Sequence, residues 1–150
     1  MELRLDDPEF VNSIIYPSWC YCFNAECPRT AECICYISSR FIPEDKEWGN
    51  AIYPNALRDG KCSHFKRARI MMAAWGMKSL YDNVKHKDTA NLRCRVMGIL
   101  GGKTNYYRVY RGEMHVSPEK QQEVNRVFAE YGYQPPRFDH YKEEVGFTDK

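Results

Sequence analysis

The sequence has no long hydrophobic run. Its longest apolar stretch, Ile70 to Gly76, falls far short of the roughly 20 residues needed to cross a bilayer. A secretory signal is also missing, because residues 1–20 are acidic and interrupted by Pro8 and Pro17. These absences predict a soluble, cytoplasmic protein with no membrane partner. There is no CxxC pair, which excludes a zinc ribbon or a C2H2-type finger, and the cysteine gaps also miss the common ferredoxin spacings. No GxGxxG and no GxxxxGK[ST] motif is present. Gly101-Gly102-Lys103-Thr104 matches the end of a P-loop but lacks its first glycine and follows a predicted helix rather than a strand. Ser13, Ser38, Ser39 and the four histidines form no nucleophile–base motif. Internal repeats and low-complexity segments are absent too. What remains is a non-enzymatic reading with no small-molecule substrate.

What is present is an ordinary globular composition, 43% hydrophobic and 28% charged, over 150 residues, enough for one core. The overall charge of +2 hides a segregation. Residues 1–57 carry a net charge of −5, residues 58–112 a net of +10, and residues 113–150 a net of −3. A basic middle between acidic ends points either to a nucleic-acid surface or to charge balance within the chain.

Helix signals dominate the chain, and the expected fold class is mainly α. An irregular cysteine-rich module over residues 1–62, nucleated by metal, is expected to pack on a small helical bundle over residues 63–133. Residues 134–150 read as a loose acidic tail, and the whole as one compact unit. In the module, Pro28, Pro43, Pro54, Gly49 and Gly60 leave room only for short elements, one of them a helix over Arg29–Phe41. Ser63 is a candidate N-cap for a helix carrying Phe65, Ala68, Met72 and Trp75 and continuing to Leu80, Tyr81 and Val84. The Met71, Met72, Trp75 and Met77 stripe reads as core packing. Asp88 or Thr89 caps the next helix, whose apolar face is Leu92, Val96, Ile99 and Leu100. Gly101-Gly102 stops it, and a short helix from Lys103 ends at Gly112. Ser117-Pro118-Glu119 starts the last helix, with Val124, Val127, Phe128 and Tyr131 repeating at helical spacing up to Gly132.

Six of the seven cysteines lie between 20 and 62: Cys20, Cys22, Cys27, Cys33, Cys35 and Cys62. Cys94 stands alone on a predicted helix and reads as a packed or partly exposed thiol. In a reducing compartment such a cluster points to metal ligands rather than a disulfide framework. A structural site needs about four soft, deprotonated ligands converging on one point. Cys22, Cys27, Cys33 and Cys62 meet that need, with Cys20, Cys35 and His64 in reserve. Cys62 precedes the predicted helix, so its thiolate is expected near a positive helix end. The expected cofactor is zinc, with an iron–sulfur cluster as the alternative.

The run Cys22-Phe23-Asn24-Ala25-Glu26-Cys27-Pro28 through Cys33 carries a resemblance, together with Cys62-Ser63-His64-Phe65, Tyr106-Tyr107, Gly112 and Ser117-Pro118-Glu119. Over roughly residues 16 to 133 the chain resembles an uncharacterised family of short bacterial proteins. Its marks are a CFNxxCPxxxxxC motif, a CxxF-type element and a later YY…G…SPEQQ stretch. The resemblance implies that Cys22, Cys27, Cys33 and Cys62 are the motif set, whereas Cys20 and Cys35 fall outside it.

The second half lays out as helix, Gly turn, short helix, linker and helix, the order of a helix-turn-helix. Its candidate recognition helix runs from Lys103 to Arg111, and Lys103, Asn105, Arg108 and Arg111 are the candidate DNA contacts. Residues 91–135 also resemble the DNA-binding headpiece of LacI-type repressors. The likeness lies in Tyr107-Arg108-Val109-Tyr110-Arg111-Gly112, Val116-Ser117-Pro118-Glu119 and Tyr131-Gly132-Tyr133-Gln134-Pro135. The leading expectation is a non-catalytic, metal-stabilised nucleic-acid-binding or regulatory protein with DNA as partner. The alternatives are an iron–sulfur redox or sensor protein, and an adaptor with structural zinc that binds another protein.

Overall fold

A computed structural model describes all residues, 1–150. The chain divides into two compact units, Met1–Ile70 with Val145–Lys150, and Met71–Glu144.

The first unit begins where Asp7 accepts the Glu9 amide at 3.0 Å and Pro8 takes the first helical position of α1 (Pro8–Ile14). Strand β1 (Cys20–Cys22) follows, then α2 (Ile34–Ser39) and β2 (Asn50–Ile52). β1 and β2 pair in parallel, with Cys20 opposite Asn50 and Cys22 opposite Ile52. A 3-10 turn at Pro54–Ala56 leads into a hairpin of β3 (Leu57–Arg58) and β4 (Lys61–Cys62). Its Asp59-Gly60 turn has both residues at positive φ, the conformation that a two-residue hairpin loop demands. Val11, Trp19, Tyr21, Ile34, Cys35 and Phe65 form the core of this unit, with Phe147 packed against it. Trp19 is fully buried, and its Nε1–H donates to Ser38 Oγ at 2.9 Å, so neither polar group is left unpaired.

The second unit is built on α3 (His86–Ile99), α4 (Lys103–Arg111) and α5 (Pro118–Glu130). Helix α3 packs against both α4 and α5. Leu92 and Val96 from α3, Tyr106 and Val109 from α4, and Val124 and Phe128 from α5 meet in one core. Burying each such apolar side chain contributes about 1.5–3 kcal/mol. Ser117 caps α5 and accepts the Lys120 amide at 3.4 Å, as its sequence start predicts. The Asp139 carboxylate ties down the turn before α3, accepting the Lys78 and Ser79 amides at 2.8 and 3.3 Å.

Two strands overturn the expected mainly α class. The protein is mixed α/β, with 35% helix, 19% strand and three small sheets. The helix expected from Ser63 to Val84 is instead β5 (Arg67–Trp75), followed by turns to Ser79–Tyr81. The acidic tail expected over 134–150 contains β6 (His140–Thr148), hydrogen-bonded to β5. Alanine, methionine and arginine give β5 a helix-favouring composition, but cross-strand pairing with β6 outweighs a preference of a few tenths of a kcal/mol per residue. The methionine stripe consequently splits: Met77 is buried, whereas Met72 points outward. Two smaller differences are a shorter α2 than Arg29–Phe41 and an α3 that starts at His86, ahead of Asp88 and Thr89. No helix is long and apolar enough to cross a membrane.

Candidate functional site

Four thiols of the first unit lie close enough to act on one another. Burial pushes the Cys22 thiol up, and nearby Cys33, Cys27 and Cys62 push it further. The approach of Cys22 and Cys27 has a local cause. Asn24 Oδ1 accepts the Glu26 amide at 3.2 Å and the Asn24 carbonyl accepts the Cys27 amide at 3.3 Å, which turns the chain back on itself. Cys33 sits at the N-terminus of α2, where Glu32 bridges Arg29 and Arg67 at 3.3 and 2.9 Å. Cys62 ends β4.

The His64 amide donates to the Cys62 sulfur at 3.4 Å. The Asn24 amide draws the Cys22 thiol down against the larger cost of its burial. The positive helix end expected beside Cys62 is not there, since no helix follows it, and the His64 amide takes that place. Cys33 is the most strongly activated thiol, drawn down to about 5. The Cys35 thiol donating to it is the largest cause, and the amides of Lys66, Tyr36 and Cys35 add to it against the cost of burial.

The reserve residues differ in position. Cys35 is buried with its Sγ 3.7 Å from the His64 carbonyl, and its bond to the Cys33 sulfur, followed by burial, pushes its thiol up. It is therefore a donor to the cluster, a role that residue spacing does not reveal. Cys20 lies two residues before Cys22 on β1 and lines an open cleft of about 890 Å³ with Cys62 and the exposed His64. Cys94 is exposed on α3, in the other unit. As the side chains stand, no group of three or more His, Cys, Asp or Glu is arranged to hold a metal ion. The chemistry of the set nevertheless fits a soft divalent cation: free thiols, an amide donor already on the Cys62 sulfur, and one sulfur drawn towards the thiolate.

The second candidate site is α4. Gly101 and Gly102 separate it from α3, and both have positive φ, which a side chain would strain. Tyr106 and Val109 anchor it in the core, with the Tyr106 hydroxyl 3.0 Å from that of Tyr81. On a helix turning about 100° per residue, Lys103, Tyr107, Arg108 and Arg111 then fall on one outer face, together with Thr104. All five are exposed. Lys103 and Arg108 have no ion pair, whereas Arg111 forms a two-pronged pair with Glu113 at 2.9 and 3.1 Å. Asn105 departs from the expected face, being half-buried and turned towards Gly101. The sequence reading passed over Thr104, and helical phase once Tyr106 and Val109 are fixed inward is the signal that identifies it. On α3, Arg95 pairs with Glu130 of α5 at 2.9 Å and Arg93 lies over the Tyr81 ring.

No curated protein and no solved structure matches this chain. A family model covers residues 5–147, nearly the whole length, and so takes in both the thiol cluster and α4. The chain belongs to DUF6078, a family of unknown function.

Proposed function

We propose that this is a non-catalytic, metal-stabilised nucleic-acid-binding protein of the cytoplasm. Helix α4 enters the major groove of DNA, and Cys22, Cys27, Cys33 and Cys62 hold one zinc ion that staples the first unit. One observation carries the DNA reading: Lys103, Tyr107, Arg108 and Arg111 share the solvent face of the second helix of a helix–glycine turn–helix layout. In that arrangement cations reach phosphates and the N-terminal residues reach base edges. Arg111 must first exchange Glu113 for phosphate, at little cost, since an exposed pair is worth about 0–1 kcal/mol.

Zinc would join elements far apart in sequence: β1, the turn that follows it, the start of α2 and the end of β4. That crosslink suits a unit made of short elements. Repulsion among the sulfurs is what a divalent cation relieves, and the His64 amide on Cys62 would remain to support it. Ligation requires these side chains to rotate inward and lose their protons.

The test is fluorescence anisotropy of a labelled duplex of about 20 bp titrated with protein at low salt, with metal content measured on the same anaerobic preparation. The reading expects saturable binding that weakens in Arg108→Ala, and about one zinc per chain. Absence of DNA binding removes the α4 assignment. A brown iron-containing preparation replaces zinc with an iron–sulfur cluster, and a metal-free one removes the centre altogether.

A further inference from the structure

The segment joining α2 to β2 contains Pro43-Glu44-Asp45-Lys46-Glu47-Trp48-Gly49. Trp48 is 88% exposed, the most exposed large apolar side chain in the molecule. A tryptophan brings 150–250 Å² of mostly apolar surface to a contact, and here the chain itself uses almost none of it. Clefts lie on either side of its loop. One, about 620 Å³, is lined by Pro17, Trp19 and Pro43 with Asp45 and Glu47. The other, about 130 Å³, is lined by Tyr21, Phe23 and Ile42. Trp48 lines both, together with Lys46, Glu47, Gly49 and Asn50, so it borders two adjoining shallow grooves.

The charge around Trp48 selects the occupant. Glu44, Asp45 and Glu47 are exposed, and no ion pair holds any of them. Lys46 lines both clefts, with its Nζ 3.4 Å from the Tyr21 hydroxyl and 5.0 Å from that ring's centre, and it offsets one of the three carboxylates. The loop thus presents an aromatic side chain edged by a net negative charge. Such a surface repels phosphate, in nucleic acid or in an anionic bilayer, and attracts a cation.

We propose that this face docks a proline-containing basic peptide in the extended polyproline II form. Polyproline II has no internal hydrogen bonds and is already stiff, so its rings settle into grooves between aromatic side chains at small entropic cost. An arginine or lysine flanking the prolines would meet Asp45 and Glu47. The surface lies in the first unit and does not involve the basic helix α4.

The experiment uses the full-length protein and a fluorescein-labelled peptide of sequence Arg-Pro-Pro-Arg-Pro-Pro-Arg, followed by anisotropy. Saturable binding with a dissociation constant on the order of 100 μM is expected. It should weaken at least roughly tenfold in Trp48→Ala and in the double variant Asp45→Lys, Glu47→Lys. Both changes lie at exposed positions, and a retained circular dichroism spectrum confirms that folding is intact. Three results overturn the proposal. The first is no saturation up to about 1 mM. The second is equal binding of the peptide with glycine in place of proline, which would indicate backbone pairing or charge alone. The third is Trp48→Ala binding as tightly as the parent. Protection of Trp48 from an aqueous quencher by phosphatidylglycerol vesicles, or by raising the protein concentration without peptide, would also overturn it, giving the face to a membrane or to a second copy.

Discussion

The His64 amide donates to the Cys62 sulfur at 3.4 Å, at the end of β4 where the chain leaves the hairpin. Backbone donors aimed at sulfur favour the thiolate over the thiol. Cys33 is drawn towards the thiolate while burial and the neighbouring sulfurs hold the Cys22 thiol up, so the cation proposed here rests on the proximity of four thiols.

On the proposed ligand set, replacing Cys27 with Ser should release the zinc and lower the melting temperature, whereas Cys94→Ser should do neither. Metal content and a thermal melt of each variant provide the check. Full metal retention in Cys27→Ser would remove this ligand set.

The Arg111–Glu113 pair gives a prediction of opposite sign. Glu113→Gln frees the guanidinium at the edge of the exposed α4 face. DNA affinity should rise, because Arg111 then reaches phosphate without first giving up Glu113, while the slope of log K against log salt stays near the parent's. Unchanged affinity would place Arg111 outside the interface.

Gly112 ends α4 in the left-handed conformation, at φ +80°, and a Cβ there would come 3.0 Å from Trp75 Cδ1. Gly112→Ala should cost about 1–2 kcal/mol from the backbone alone. Chemical denaturation measures the loss, and an unaltered midpoint would contradict the account of how α4 terminates.

Tyr81 and Tyr106 supply a pH dependence. Burial raises both hydroxyls above the ordinary tyrosine value of 10.0, and for Tyr81 the bond to Tyr106 raises it further. A group whose folded pKa lies above its unfolded value gives stability that is complete below the unfolded pKa. That stability is lost as pH climbs through the folded one. Stability should thus fall from about pH 10 upward, and less steeply in Tyr81→Phe. Denaturation midpoints across alkaline pH test this.

How much of this was legible in the sequence depends on the range of the signal. Ser117-Pro118 and the paired glycines act within a few residues, so the starts and stops of α4 and α5 are written locally. The spacing of Cys22 and Cys27 around an Asn is local too. β5 is different: its residues favour a helix, and only pairing with β6, far downstream, makes it a strand. The tail reading overlooked Tyr141, Val145, Phe147 and Thr148, β-favouring residues hidden among charges. The roles of Cys33 and Cys35 were illegible for another reason, since they depend on the Lys66 amide and the His64 carbonyl, both reached only in the folded chain.

That correction has its own test. Phe147 of β6 packs 5.1 Å from the Trp19 ring, so Phe147→Ala should cost about 1–3 kcal/mol. Removing residues 140–150 should abolish cooperative unfolding, whereas a loose tail would be dispensable.

The most direct measurement of the central claim is the salt dependence of duplex DNA binding by the parent protein and by Arg108→Ala. If α4 lies on DNA through Lys103, Arg108 and Arg111, log K should fall linearly with log salt with a slope of roughly −3. Arg108→Ala should reduce that slope by about 1 and weaken binding by up to about 3 kcal/mol. A flat salt response, or an Arg108→Ala line that superimposes on the parent's, would contradict it.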